Sequence, residues 1–247
     1  YSGIPAWDQQ VMVSPAFADF NGDGQPEIYM GNHIFNAQTG DRLVRGSYTQ
    51  SKGDRQDWWH QFSTVYDILP DGFCADCDGI ELICGNTVYS VNNSTFALTA
   101  VATSGRGDGF TSLGDIDGDG DMDIIVGTGD NTSAYLYVWD PTTTGAPFVR
   151  LGGDFGGAED NLTGLPTIAD FDGDGVVEIA VVRRNGLHII EWESGALVSN
   201  EAIGVSDDSG MTQLTAFDFE GDGEMELVYR DESTVRIFGY DEGTRTG

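Results

Sequence analysis

Positive charge is scarce in this chain: 11 lysines and arginines stand against 41 aspartates and glutamates, for a formal net charge of −30. The shortage excludes nucleic acid as a partner, because phosphate binding needs clustered Lys and Arg. It disfavours an anionic membrane surface for the same reason. Long apolar runs are missing as well. Stretches such as "DIIVG" and "IAVV" fall far short of the ~20 residues that span a bilayer, so membrane insertion is not expected. Cysteine and histidine occur three times each, and His33, His60 and His188 are scattered, which does not make a zinc set. Neither G-x-S-x-G nor H-E-x-x-H is present, and no Ser/His/Asp grouping recurs. The expectation is therefore a non-enzyme without catalytic residues. No signal peptide precedes Tyr1, so the chain is expected to be a mature or trimmed piece.

What is abundant is acid, and it is organised. "DFNGDGQPEI" begins at Asp19, "DIDGDGDMDI" at Asp115, "DFDGDGVVEI" at Asp170 and "DFEGDGEMEL" at Asp218. A degenerate copy, "DILPDGFCADCDGIEL", begins at Asp67. The starts lie 48 residues apart in three of the four intervals and 55 in the other. A fixed period of this size marks a repeat architecture, propeller blades being typically ~40–50 residues. Five such repeats account for nearly all of residues 1–247, leaving no separate domain or linker.

Within a repeat the pattern is β throughout. The fourth reads "LPTIADF", the acidic loop, "EIAVVRR", "GLHIIEWESG" and "ALVSNEAI": short runs rich in Val, Ile and aromatics, separated by Gly, Asn, Asp and Ser turns. No window of helical length keeps a 3.6-residue apolar period. Four short strands per repeat, repeated radially, predict an all-β β-propeller of four-stranded antiparallel blades. The last repeat has no evident fourth strand after "TVRIFGYDEGTRTG". The N-terminal "SGIPAWDQQVMV" is a candidate to supply it and close a five-bladed ring; the alternative is that the chain is one portion of a larger propeller.

The loop chemistry explains how so many carboxylates are tolerated side by side. Asp-x-Asp/Asn-x-Asp-Gly places hard oxygen donors on one side of a tight turn, and Ca²⁺ takes ~6–8 such oxygens with flexible geometry. An EF-hand is excluded, because it needs a bidentate Glu at position twelve between flanking helices. Position twelve is Met30, Val126, Val181 and Tyr229 in the four intact copies, and the closing acid sits at position nine instead, as Glu27, Asp123, Glu178 and Glu226.

These loops, their nine-residue span and the 48-residue period resemble the FG-GAP/VCBS-type repeats, which build calcium-binding β-propellers of integrin α-subunits and of secreted bacterial surface proteins. The resemblance implies about four Ca²⁺ ions, held by side chains at positions one, three, five and nine and by the carbonyl at position seven. In the first loop these are Asp19, Asn21, Asp23 and Glu27, with Gln25. In the third they are Asp115, Asp117, Asp119 and Asp123, with Asp121. The fourth offers Asp170, Asp172, Asp174 and Glu178, with Val176, and the fifth Asp218, Glu220, Asp222 and Glu226, with Glu224. Glu220 departs from the short Asp or Asn of position three. The implied function is a non-enzymatic, calcium-stabilised extracellular propeller, secreted or on a cell surface, for adhesion, ligand binding or surface assembly. Its rivals are a polysaccharide-lyase-like propeller enzyme and a structural module of a larger secreted protein or filament.

The second loop breaks the pattern. Asp78 precedes Glu81 by three residues rather than four, and Leu69 stands where a third-position ligand is expected. Its Cys74-x-x-Cys77 leaves a disulfide, a metal pair and free thiols open. The expectation is a disulfide that staples the loop in place of an ion, with Cys84 reduced and buried. Elsewhere, Trp58, Trp59 and His60 lie on the side of the blade away from the calcium loop, as candidate contacts for a protein or glycan partner on that face. The Arg106-Gly107-Asp108 tripeptide is weighed against chance occurrence in a Gly/Asp-rich turn.

Overall fold

A computed structural model describes residues 12–46, 53–54, 60–129, 134–142, 149–151, 163–183, 186–193, 196–205, 212–231 and 233–239. Among these there is no helix, and hence none long and apolar enough to cross a membrane. The chain divides into two compact units, Tyr1–Thr111 with Pro141–Thr144, and Ser112–Asp140 with Gly145–Gly247.

In the first unit β1 (Met12–Val13) precedes a four-stranded sheet of β2 (Ala16–Ala18), β3 (Glu27–Met30), β4 (His33–Asn36) and β5 (Arg42–Arg45), hydrogen-bonded in chain order. After β6 (His60–Gln61) comes a second such sheet, of β7 (Thr64–Tyr66), β8 (Glu81–Cys84), β9 (Thr87–Val91) and β10 (Leu98–Thr103). The outer turns of the two sheets are alike. Asn36 Oδ1 accepts the Gln38 and Thr39 amides, and Asn92 Oδ1 accepts those of Ser94 and Thr95. Each turn then needs a left-handed residue. Gly40 supplies it in one (φ 74°) and Phe96 in the other (φ 57°). Phe96 accepts that backbone cost while its ring packs against the core between the sheets.

The second unit holds the remaining three repeats. β11 (Phe110–Gly114), β12 (Asp123–Gly129), β13 (Ala134–Trp139) and β14 (Val149–Leu151) form one sheet, and β15 (Thr167–Ala169), β16 (Glu178–Arg183), β17 (Gly186–Glu193) and β18 (Ala196–Gly204) the next. The last contains three described strands, β19 (Thr215–Phe217), β20 (Glu226–Arg230) and β21 (Val235–Phe238). The five antiparallel sheets thus follow the five predicted repeats, one acidic loop between the first two strands of each. Most of the N-terminal segment that is a candidate for the missing strand lies outside the described residues; its described part, Met12–Val13, pairs in parallel with His60–Gln61.

Alternation along the strands buries one row of side chains on each face of a central sheet. One face of the β15–β18 sheet, through Ile179, Val181 and Ile190, packs on Ile125, Leu136 and Val138 of the sheet before it. Its other face, through Ala180, Val182, Leu187 and Ile189, packs on Leu227, Tyr229 and Phe238 of the sheet after it. In the first unit Tyr29 and Ile34 pack in the same sense on Leu82, Cys84 and Tyr89. Side-chain bonds add to two of these junctions: Ser112 Oγ donates to Pro166 O (2.6 Å) and Thr167 Oγ1 to Leu214 O (3.2 Å).

Candidate metal centres

Each intact loop is wound around its own carboxylates. Position one accepts the amide of position six: Gly24 N to Asp19 (2.8 Å), Gly120 N to Asp115 (3.1 Å), Gly175 N to Asp170 (3.0 Å) and Gly223 N to Asp218 (3.0 Å). Position five accepts the amide of position seven, as Asp23 does from Gln25, Asp119 from Asp121, Asp174 from Val176 and Asp222 from Glu224. So tight a coil needs left-handed backbone at positions four and six. Both are glycine in every intact copy, with φ of 70° and 83° at Gly22 and Gly24 and 77° and 93° at Gly173 and Gly175.

The acid at position nine begins the next strand and reaches back across the loop. One of its oxygens accepts the position-two amide: Phe20 to Glu27 (3.1 Å), Ile116 to Asp123 (3.1 Å), Phe171 to Glu178 (2.7 Å) and Phe219 to Glu226 (2.8 Å). This clamp closes the loop and draws a carboxylate into the sheet. Burial then raises the Glu178 carboxyl to about 8 and Asp123 to about 6, the amide bond offsetting part of the effect and neighbouring carboxylates adding to it. Glu27 is raised for the same principal reason. Charged carboxylates are costly in such a place unless a cation compensates them.

The donors fit a hard divalent cation. In the fourth loop Asp170, Asp172, Asp174 and Glu178 each bring an oxygen within 4.8 Å of the others. In the third, Asp115, Asp117 and Asp119 do so, and Asp115 Oδ1 is buried without a hydrogen-bond partner. An ion bound there would be held by those carboxylates and would neutralise their mutual repulsion. The first loop has the same amide pattern around Asp19, Asn21 and Asp23, with Asn21 Oδ1 accepting the Asp23 amide. In the fifth, the nearby Glu226 charge raises the Glu220 carboxyl above its ordinary value.

The second loop is stapled as expected. Cys74 and Cys77 form a disulfide with a Cα–Cα distance of 5.1 Å, and Cys84 is a buried free thiol. What sequence reading missed is that Glu81, the closing acid of this loop, clamps the backbone as the position-nine acids do. It is fully buried, and its Oε2 accepts both the Ile68 and Leu69 amides (3.1 and 3.3 Å). The signal was present in the match of "IEL" to "PEI" before equivalent strands. Its other oxygen is buried without a hydrogen-bond partner. A cleft of about 340 Å³ separates this loop from the first, lined among others by Asp19, Asn21, Asp76, Asp78 and Asn93.

Burial, with a smaller contribution from the Asp67 charge, raises the Glu81 carboxyl from 4.5 to about 7. The folded protein therefore holds a proton that the unfolded chain releases at lower pH. The resulting stability is complete below pH 4.5 and is lost as pH rises through about 7. Glu81→Gln, uncharged throughout, is expected to match the wild type in melting temperature near pH 5 and to exceed it increasingly toward pH 8. Parallel curves across that range would remove Glu81 as the titrating group.

Of the other candidates, Trp58 and Trp59 lie outside the described residues, while the His60 backbone belongs to β6. Asp108 of the Arg-Gly-Asp tripeptide is half-buried, and its Oδ1 accepts the Gly53 and Gly109 amides (3.1 and 2.9 Å). Its carboxylate therefore closes a turn.

Comparison with known proteins follows the loops. A family model for the FG-GAP-like repeat matches residues 115–181 and 170–229. No curated protein matches the chain significantly. Among solved structures, the V. cholerae biofilm matrix protein Bap1 aligns with a TM-score of 0.58 at 12% identity, over 93% of this chain and 60% of its own. The Photorhabdus luminescens Tc holotoxin pore aligns at TM-score 0.43 and 18% identity, over 96% of this chain and 11% of its own. A Bacillus licheniformis rhamnogalacturonan lyase aligns at 0.40 and 16%, over 88% and 40%. The likeness to Bap1 concerns the fold alone; the other two are too weak to bear on it. Residues 115–229 match the FG-GAP-like repeat, and the acidic loop and antiparallel sheet that make up each of those repeats recur in the rest of the chain.

Proposed function

We propose that the chain is a calcium-stabilised β-propeller, or part of one, that works outside the cell without catalysis, in adhesion, ligand binding or surface assembly. The observation that carries the reading is the convergence of carboxylates in the family-matched loops, four in the fourth and three in the third. Similar amide-bonded coils at Asp19 and Asp218 extend it to about four ions. In this reading the ions rigidify one end of four of the five sheets, the disulfide serves the second, and the opposite loops are left to vary. The fold likeness to a biofilm matrix protein supports an extracellular setting, as does a disulfide, which persists in oxidising compartments.

The partner, a protein or a glycan, would meet the face opposite the calcium loops, with Trp58 or Trp59 as anchor and His60 beside them. Burying one indole contributes ~2 kcal/mol or more to such an interface, or a ~30-fold change in affinity. Glycan arrays and cell-surface binding, measured for the wild type and for Trp58→Ala and Trp59→Ala, test this. The expected result is calcium-dependent binding that at least one substitution reduces tenfold or more. Profiles unchanged by both would remove the tryptophans from the interface.

A further inference from the structure

The acid at position nine closes each loop, and the next strand of the sheet brings one residue directly opposite it. In the first repeat that pair is Glu27 with Asn36. In the third, one step beyond the pairing of Ile124 with Trp139, it is Asp123 with Asp140. In the fourth, one step beyond Ile179 with Ile190, it is Glu178 with Glu191. The same step leads to Glu81 with Ser90 in the second repeat and to Glu226 with Gly239 in the fifth. Acid thus stands opposite acid in the third and fourth repeats, where the others carry Asn, Ser or Gly.

Alternation places both members of each acidic pair on one face of their sheet. Glu178 continues the row of Ala180 and Val182, and Glu191 that of Leu187 and Ile189, all packed toward the sheet that follows. Asp123 likewise continues the row of Ile125, and Asp140 that of Leu136 and Val138. Like charges directly opposite on one face destabilise a sheet. Asp140 and Glu191 are half-buried, so solvent relieves the repulsion only in part. Their charges also reach the loops. Burial chiefly raises the carboxyls of Asp117, Asp123, Asp172 and Glu178; Asp140 adds to the rise in the first two and Glu191 in the last two. A divalent cation beside each pair turns the same charges from repulsive to attractive.

We propose, on the calcium reading given above, that Asp140 and Glu191 set the affinity of the third and fourth loops and make these the tight sites of the chain. Neither is among the acids whose oxygens converge there, so each acts on the ion from the edge of the site, by its charge. Calcium affinity is tuned by the charge count around the ion, and a nearby carboxylate adds to it through space. The first and fifth loops, with Asn36 and Gly239 at the same place, lack that contribution.

Calorimetric titration of the whole chain with calcium, together with melting curves in excess calcium and in EDTA, tests the proposal. Wild type is expected to show a tighter and a weaker class of sites. Glu191→Gln and Asp140→Asn are each expected to move one ion from the first class to the second, a loss of about tenfold in affinity. Glu191→Asp, which keeps the charge, is expected to retain the tight class. In EDTA the two neutral variants are expected to melt at or above the wild type, because the repulsion between the strands is gone. A merely structural role gives the reverse, a lower melt with and without calcium. That result overturns the proposal, as does a single class of sites in the wild type or an affinity unchanged in both variants, and each leaves calcium binding itself intact. A wild type that takes up no calcium overturns the calcium reading and the proposal together.

Discussion

Removal of calcium is expected to lower the melting temperature substantially, and more than any single substitution. Five aspartates occupy alternate positions from Asp115 to Asp123, with no basic residue among them. Three of these carboxylates converge in the third loop, as four do in the fourth. A ligand that binds only the folded state stabilises it by RT ln(1 + [L]/Kd), ~2.7 kcal/mol per site at a hundredfold excess. For a chain of this size each kcal/mol corresponds to roughly 2–4 °C. Loss of one site therefore costs on the order of 5–10 °C, and loss of several gives a shift well beyond that. Calorimetry in excess calcium and in excess EDTA, with elemental analysis of the dialysed protein, measures it. Identical melts, with no bound calcium in the untreated sample, would sink the metal assignment.

The largest effect expected of one residue is at Asp170. Its carboxylate accepts the Gly173 amide (2.7 Å) and the Gly175 amide (3.0 Å), and it belongs to the four-acid cluster. Asp170→Ala thus removes two hydrogen bonds to a charged group, each worth about 1.5–3 kcal/mol, together with a ligand of the ion. In calcium the expected loss is about 6–9 kcal/mol, from the turn and the site together, and the calcium content falls by one ion per chain. In EDTA the gap between variant and wild type is expected to narrow to the turn contribution alone. Asp170→Asn retains an acceptor oxygen and is expected to lie between the two. If Asp170→Ala binds as many ions as the wild type, the fourth loop is not a calcium site. If the gap is the same with and without calcium, Asp170 serves only the turn.

Local features were readable because they depend on neighbours in the chain. Position one meets position six, position five meets position seven, and position two meets position nine, all within a nine-residue coil whose glycines must take left-handed backbone. Spacing and residue type are sufficient for that; for Cys74 and Cys77, three residues apart, they left three alternatives, of which the structure shows the disulfide. The strands could be read for a related reason: alternating apolar residues between turn residues have few other ways to bury one face.

What packs against each face is a different matter, and composition does not contain it. Glu81 stands in a degenerate loop with the acids of that loop around it, yet it alone is fully buried, because it clamps two amides beneath the sheet. Asp108 sits in a motif associated with partner recognition, but the approach of Gly53 from 55 residues away commits its carboxylate to a turn. Met12–Val13 pairs with His60–Gln61, a partner nearly 50 residues away that local pattern does not name. Ile189 and Ile237 are the same residue at the same place in successive repeats, one fully buried and the other more than half exposed. The sequence by itself determined the repeat and its acidic loops, since those are set by residue types and contacts over a few residues. Only the tertiary structure decided which acids are buried, because burial depends on what another part of the chain brings to that surface.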